Sequence, residues 1–149
     1  MQNILAIAAH PDDIEIGCWG TLARYKKAGA KIHHLILSYG EDGGDKNERK
    51  REQLEVAKKL EAMVMFGNLH SALLNNNSGR ESIKLIEDTI RQIKPEIIFT
   101  HSLNDRHQDH RLVNQATNSA CRNFRGELFY YEGYSSLRYF QPLMFIDIS

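Results

Sequence analysis

Short apolar runs alternate with amphipathic helical patterns along the whole chain, and this alternation limits the fold more than any other feature. Strands are predicted at residues 4–9, 32–39, 62–66, 97–100, 128–131 and 143–148. Apolar residues at helical spacing fall between them, at 14–27, 47–61, 78–94 and 109–123. This order predicts an α/β fold, a Rossmann-like three-layer sandwich with a mostly parallel sheet and helices on both faces.

Polar residues that can carry chemistry follow the ends of the predicted strands. Residues 10–13 follow the first strand, a glycine-rich turn at 40–44 follows the second, and residues 101–110 follow the fourth. In open parallel sheets, ligands bind beyond the carboxyl ends of the strands. A functional site is therefore predicted at this edge. A nucleotide site is disfavoured, because no G-x-G-x-x-G follows the first strand and the chain has no P-loop.

A histidine and two aspartates follow the first predicted strand within four residues: His10, Asp12 and Asp13. One aspartate would be enough to cap the next helix, because a cap needs only one oxygen acceptor. Two carboxylates beside an imidazole are more often a cation site. The segment therefore favours a metal site, with a helix cap as the alternative.

A second polar segment, at residues 101–110, lies between the fourth predicted strand and a helix. It contains His101, His107 and His110 together with Asp105 and Asp109. Two of these histidines are three residues apart, so one helical turn places them on the same face. The alternative is a polar loop with a helix cap at Asp109.

The two polar segments lie at the same edge of the predicted sheet, so they can form one metal site together. Imidazole and carboxylate ligands without a thiolate suit zinc, with ferrous iron and other first-row divalent metals as competitors. Three protein ligands and one open position are typical of a catalytic site and not of a structural one.

Three segments, AHPDDIEIGCWGTLA, SYGEDGG and HSLNDRHQDHRLV, resemble in their order the PIG-L/LmbE-like family of zinc-dependent N-acetylglucosaminyl deacetylases. The resemblance spans most of the chain. It implies a hydrolase that removes the N-acetyl group from an N-acetylglucosamine-type sugar or sugar conjugate, with a small N-acetylated sugar as its substrate. It also implies three zinc ligands, which are His10, Asp13 and His110.

The resemblance implies roles for four further side chains. Asp12 is the general base that takes a proton from water activated by the zinc ion. His107, in its protonated form, stabilises the oxyanion, and Asp109 orients this imidazole and favours its charge. Arg51 matches the family's substrate-contacting arginine, although an arginine on a charged helix is more often simply solvated.

Composition argues against several other partners and locations. Lys+Arg and Asp+Glu both number 19, so the formal net charge is zero and nucleic acid is not an expected partner. No apolar run approaches the roughly 20 residues of a membrane span, and the first residues lack the basic and apolar regions of a signal peptide. Two cysteines, Cys18 and Cys121, fit a reducing compartment. A cytoplasmic protein is expected.

Residues 1–149 are expected to form a single LmbE-like deacetylase domain that lacks the usual C-terminal extension of the family. Either the chain is a truncated form, or another subunit completes the pocket. A homo-oligomer is expected. The missing extension also leaves a non-catalytic metal-binding domain as an alternative. A further alternative keeps the chemistry and changes the substrate, as a zinc amidase acting on a non-sugar or thiol-conjugate amide.

Overall fold

Five parallel strands form one sheet in the order β3-β2-β1-β4-β5, in a computed structural model that describes residues 1–70 and 78–149. The parallel sheet predicted from the sequence is confirmed. The strands are β1 (Asn3–Ala8), β2 (Lys31–Ser38), β3 (Met63–Leu69), β4 (Ile97–His101) and β5 (Glu127–Tyr131).

Helices cover both faces of this sheet, as the strand and helix order predicts. They are α1 (Asp13–Gly17), α2 (Trp19–Lys27), α3 (Lys46–Lys58), α4 (Ser78–Ile93) and α5 (Gln108–Ala120), with short 3₁₀ turns at Glu41–Gly43 and Cys121–Asn123. None of the helices in the described ranges is long and apolar enough to cross a membrane.

Two apolar clusters fill the space between the helices and the sheet. Ile14 and Leu22 of α1 and α2 pack on one face, and Ile86 and Val113 of α4 and α5 pack on the other. The central strand β1 contributes to both clusters and is fully buried from residue 4 to residue 8. Its continuous apolar sequence therefore reflects burial on both faces, which is typical of parallel sheets.

The helix predicted over residues 14–27 is divided into two helices. Cys18 interrupts the helical backbone, with φ −146° and ψ 11°. The preceding Gly17 lies against the buried ring of Tyr131, where an added Cβ would lie 2.2 Å from the ring. This close approach fits a glycine at the break, a feature that apolar spacing alone does not reveal.

The strand predicted at residues 143–148 is wrong. Residues 141–149 are neither helix nor strand, and Leu143 and Phe145 are exposed. The segment lies beside α2 and not against a sheet edge: Arg24 donates a hydrogen bond to the Asp147 carbonyl, and the Ile148 side chain lies next to Gly20. The sequence of residues 69–77, with three consecutive asparagines, predicts a loop; residue 69 is instead the end of β3, and residues 71–77 lie outside the described residues.

His34 in β2 is fully buried among apolar residues beside Trp19. Neither of its ring nitrogens has a hydrogen-bond partner in the described part of the chain. Burial and the neighbouring His33 lower the pKa of His34 to about 4. The folded protein therefore keeps this imidazole neutral at pH values where an unfolded chain would protonate it.

We expect His34 to make the free energy of unfolding pH-dependent. Folding depresses the pKa of His34, so protonation favours the unfolded chain. The free energy of unfolding is therefore unaffected by this residue above pH 6.5 and decreases as the pH falls toward 4. Between pH 7.5 and pH 5 the loss from this residue is about 2 kcal/mol. Urea unfolding at both pH values gives the free energy of unfolding of the wild type and of a His34→Leu variant. If this free energy changes equally with pH in the two proteins, the prediction is contradicted.

Candidate active site

Loops that leave the carboxyl ends of β1, β2 and β4 meet around an open cleft of about 350 Å³. The first loop contributes His10, Asp12 and Asp13, the second contributes Gly40, Asp42 and Gly43, and the third contributes His107, Gln108 and Asp109. Arg49 from α3 and Tyr134 from the segment after β5 complete the lining. The cleft thus lies at the edge of the sheet where the sequence predicts a site.

The buried carboxylate of Asp13 lies at the centre of a cluster of imidazoles. Its Oδ2 accepts a hydrogen bond from the His10 backbone N–H at 2.8 Å and lies 3.2 Å from His101 Nε2. Its Oδ1 lies 3.2 Å from His110 Nε2. Burial raises the pKa of Asp13, but the three neighbouring histidines, His10, His101 and His110, outweigh burial and hold its pKa well below the usual range.

Two groups of side chains in this cluster bring three ligand atoms within 4.8 Å of one another, a spacing that suits a metal ion. One group is His10, His107 and His110, and the other is Asp13, His101 and His110. Each group contains two of the three ligands that the sequence predicts. The described structure therefore brings the predicted ligands together and adds His101 and His107 as neighbours.

The donor set and its electrostatics fit a divalent cation. The ligand atoms are imidazole nitrogens and a carboxylate, which suit zinc and other first-row metals. Burial lowers the pKa of His10, yet hydrogen bonds with Asp109 and Asp13 raise it to about 9. The same negative charge that retains a proton there favours a metal ion. His110 Nε2 is buried without a hydrogen-bond partner among the described residues and can bind one.

Asp12 adopts a backbone conformation that is uncommon for a residue with a side chain. Its φ is 87°, in the left-handed region, which costs on the order of 1–3 kcal/mol unless surrounding contacts hold it. The Asp12 backbone N–H donates to Gln53 Oε1 at 3.2 Å, and Gln53 Nε2 donates to Glu15 Oε1 at 2.8 Å. Gln53 is buried, so α3 fixes the turn that presents Asp12.

The Asp12 side chain is directed to solvent at the cleft, with 62% of its surface exposed. Partial burial and the adjacent Asp13 raise the pKa of Asp12, and the nearby Arg49 opposes this. A carboxylate with a raised pKa is better suited to accept a proton near neutral pH. The geometry therefore allows the role of general base that the resemblance implies.

The structure gives Asp109 a different partner from the expected one. Its carboxylate Oδ2 lies 3.0 Å from His10 Nε2, whereas its backbone N–H donates to His107 Nδ1 at 3.2 Å. The expected carboxylate–His107 pair is not formed. Burial, His110 and His10 lower the pKa of His107 more than Asp109 raises it. His107 Nδ1 accepts the Asp109 N–H as the cap of α5, so the neutral form of this imidazole carries its proton on Nε2.

Arg49, and not Arg51, is the arginine at the cleft. The Arg51 side chain is 65% exposed, and its Nη2 lies 3.7 Å from Glu48 Oε1 on the same helix. The Arg49 guanidinium donates to the carbonyls of Gly40 and Pro11, at 2.8 and 3.0 Å, and lies 3.7 Å from Asp12 Oδ2. The structure thus does not bring Arg51 to the predicted substrate site.

Gly40 allows Arg49 to bind in this position. Its φ is 64°, and an added Cβ would lie 2.5 Å from Arg49 Nη1. A side chain at this turn would be strained by the backbone angle and would collide with the guanidinium. The absence of a side chain at Gly40 therefore allows the turn after β2 to hold Arg49 at the cleft.

Some residues of the site had no individual role assigned from the sequence, including His101, which was named only as part of the second polar segment. His101 is buried at the end of β4, and its ring stacks on that of His110 with centroids 4.0 Å apart. Its position directly after an apolar strand was a usable signal. Gln53 gave no signal, because it is one polar residue in a charged helix. Among the tyrosines of the C-terminal third, Tyr131 is buried, whereas Tyr134 lines the cleft.

The sheet, the histidine–aspartate cluster and the open cleft define an α/β protein with a candidate metal centre. A family model described as PIG-L, GlcNAc-PI de-N-acetylase, matches residues 5–121. The chain therefore belongs to this deacetylase family, and the resemblance found in the sequence is confirmed.

Individual relatives give a wider picture of the family. The chain is 34% identical to the uncharacterized deacetylase YaiS of Escherichia coli, over 99% of this chain and 82% of that protein. It is 25% identical to the 4-oxalmesaconate hydratase of Pseudomonas putida, over 75% of this chain and only 48% of the hydratase. The conserved protein TT1542 from Thermus thermophilus superposes with a TM-score of 0.78 and 30% identity, over 92% of this chain and 69% of that one.

The ligand set taken from the sequence predicts an order of zinc affinities. His10→Ala, Asp13→Ala and His110→Ala should weaken binding more than the roughly 10–100-fold that outer partners of a metal site contribute, and His101→Ala should stay within that range. Competition with a chromophoric chelator measures the affinities, with Asp88→Asn on the surface of α4 as a control. If His101→Ala abolishes binding and His10→Ala does not, the ligands are Asp13, His101 and His110 instead.

Proposed function

We propose that this protein is a metal-dependent hydrolase that removes the acetyl group from an N-acetylglucosamine-type sugar or sugar conjugate. In this proposal zinc is held by His10, Asp13 and His110, and ferrous iron is the competing metal. Asp12 is the general base. One observation carries the proposal: exposed Asp12 and neutral His107 line the same open cleft as the buried His10 and Asp13.

The reaction divides between the metal and the side chains of the cleft. When bound, a zinc ion supplies Lewis acidity, which polarises a carbonyl and makes water acidic enough to lose a proton near neutral pH. Asp12 accepts that proton, helped by its raised pKa. The amine that leaves needs a proton, and Asp12, which lines the same cleft, returns to it the proton taken from water.

His107 stabilises the negative charge that develops on the amide oxygen. Its Nδ1 accepts the Asp109 N–H, so Nε2 carries the proton and acts as a neutral donor. We therefore replace the imidazolium expected from the sequence with a neutral imidazole. Asp109 then acts in two ways: its backbone N–H fixes the tautomer of His107, and its carboxylate orients His10.

The cleft itself supports a small polar substrate. Its volume of about 350 Å³ is within the range of small-molecule sites. Charged, polar and aromatic groups for a sugar ring and its hydroxyls come from Arg49, Asp42, Gln108 and Tyr134.

The cytoplasmic location and the homo-oligomer expected from the sequence stay predictions, as does a single domain over residues 1–149.

A hydratase activity is a second candidate, favoured by the Pseudomonas putida relative. Hydration of an unsaturated acid uses the same parts, namely an activated water and a carboxylate that accepts its proton. The candidates separate in one panel of substrates: N-acetylglucosamine conjugates, non-sugar and thiol-conjugate N-acetyl amides, and an unsaturated dicarboxylate. Acetate release with a new amine supports the proposal, and loss of alkene absorbance supports the hydratase. A zinc-loaded protein that converts none of them is a non-catalytic metal-binding domain.

Asp12→Asn should separate catalysis from metal binding. The side chain stays similar in size but can no longer accept a proton, so acetate release should fall by about 10²–10⁴-fold. Zinc affinity should be unchanged, because Asp12 is not a ligand in this proposal. Asp88→Asn is the matched control on the surface. Unchanged turnover in Asp12→Asn would remove this residue from the role of base.

Arg49 and Arg51 give a matched pair of variants on one helix. Arg49→Lys keeps the charge but loses the fork that binds two carbonyls, so kcat/KM should fall by about 10–100-fold, as for a lost charged hydrogen bond. Arg51→Lys should match the wild type. Steady-state kinetics on the best substrate of the panel measures both, and the opposite ranking would restore the assignment of Arg51 made from the sequence.

A further inference from the structure

Asp105, in the loop after β4, is a buried carboxylate that the proposed mechanism does not use. It is 2% exposed. Its Oδ2 lies 3.0 Å from His110 Nδ1, on the side of the imidazole ring away from Asp13. A carboxylate at this distance attracts an N–H and repels a lone pair, so the contact favours a proton on Nδ1.

The other carboxylate oxygen of Asp105 is held by two donors. Oδ1 accepts the His107 backbone N–H at 2.8 Å and the Ser135 hydroxyl at 2.5 Å. The Ser135 hydroxyl also lies 3.3 Å from His110 Nδ1. These contacts leave the carboxylate little freedom to rotate, so its Oδ2 stays directed at His110.

The backbone keeps Ser135 beside this loop. The Arg106 N–H donates to the Ser135 carbonyl at 3.0 Å, and the Leu137 N–H donates to the Asn104 carbonyl at 2.9 Å. Asp105 and Ser136 form an antiparallel bridge between the two segments. The chain after β5 is thereby attached to the metal-binding loop after β4.

We propose that Asp105 and Ser135 are positioning residues that fix His110 as a metal ligand. His110 Nε2 lies 3.2 Å from Asp13 Oδ1. With the proton held on Nδ1, the Nε2 lone pair is available to a metal ion, which would take the place of the proton that Asp13 otherwise attracts there. A carboxylate behind a ligating histidine fixes its tautomer and makes it a stronger ligand. The inference rests on the metal site of the proposed function and extends it to the segment after β5.

Zinc affinity and the tautomer of His110 test this inference without any measurement of activity. Asp105→Asn should weaken zinc binding by about 10–100-fold, and Ser135→Ala should weaken it by roughly fivefold, as for one neutral hydrogen bond. Ser136→Ala is the matched control, because this neighbouring hydroxyl accepts the Gly133 N–H instead. Chelator competition gives the affinities, and circular dichroism checks the fold.

Long-range ¹H–¹⁵N spectra of the histidine rings supply a signature that a merely structural role would not move. In the zinc-loaded wild type, His110 should show a slowly exchanging Nδ1 proton, and Asp105→Asn should lose or shift it. Unchanged zinc affinity and an unchanged Nδ1 proton in Asp105→Asn would overturn the inference. If Asp105→Asn fails to fold, Ser135→Ala decides alone, and wild-type values in both measurements overturn it.

The two proposals fail in different ways. A wild-type protein that binds no zinc overturns the metal-dependent function and this inference with it. A wild type that binds zinc but does not release acetate overturns only the function, because affinity and tautomer still report on Asp105. If the wild type binds zinc and releases acetate, and Asp105→Asn keeps the zinc affinity and the His110 Nδ1 proton of the wild type, only the inference is overturned.

Discussion

A buried carboxylate surrounded by imidazoles is the interaction on which the rest of the site depends. Asp13 lies where β1 passes into α1, and the charge on such a buried group is tolerable only if partners surround it. His10 provides one partner from the turn after β1, and His101 at the end of β4 and His110 in α5 provide the others. The parallel sheet makes this possible, because β1 and β4 are neighbours and end at the same edge. The fold therefore assembles the cluster, and the cluster in turn joins the turn after β1 to β4 and α5.

The turn beside this carboxylate shows how the scaffold maintains an unfavourable geometry. Asp12 has a left-handed backbone and an exposed side chain, a conformation that the turn alone would not keep. Two residues of α3 hold the turn: Gln53 accepts the Asp12 backbone N–H, and Arg49 donates to the Pro11 carbonyl. Helix α3 thus does for the Asp12 turn what Asp105 does for His110. In both cases hydrogen bonds from a neighbouring element hold one part of the candidate site in place.

Much of the fold followed from the sequence, because burial on both faces of a parallel sheet leaves a readable pattern. The runs that became β1 and β4 are continuous and apolar for this reason. The same pattern was misleading at residues 143–148, since an apolar run does not show whether a neighbouring strand is available for pairing. The helix break at Cys18 could not be predicted from the sequence either. It accompanies the contact between Gly17 and Tyr131, which are more than a hundred residues apart in sequence.

The site was predictable in its residue types and less so in its pairings. Spacing after two strands located the histidines and aspartates, and the family motifs supplied their expected roles. The partner of Asp109 depends on a contact with His10 across 99 residues, which no local pattern reports. Arg49 and Arg51 are about 200° apart around an α-helix, so only one of them can be directed at the cleft. Helix α3 is charged all around its first turns, and its apolar residues begin only at Leu54, so the sequence around the two arginines does not show which one faces the cleft. Packing of α3 against the turn at Gly40 makes that choice, and the same packing sets Gln53 under Asp12.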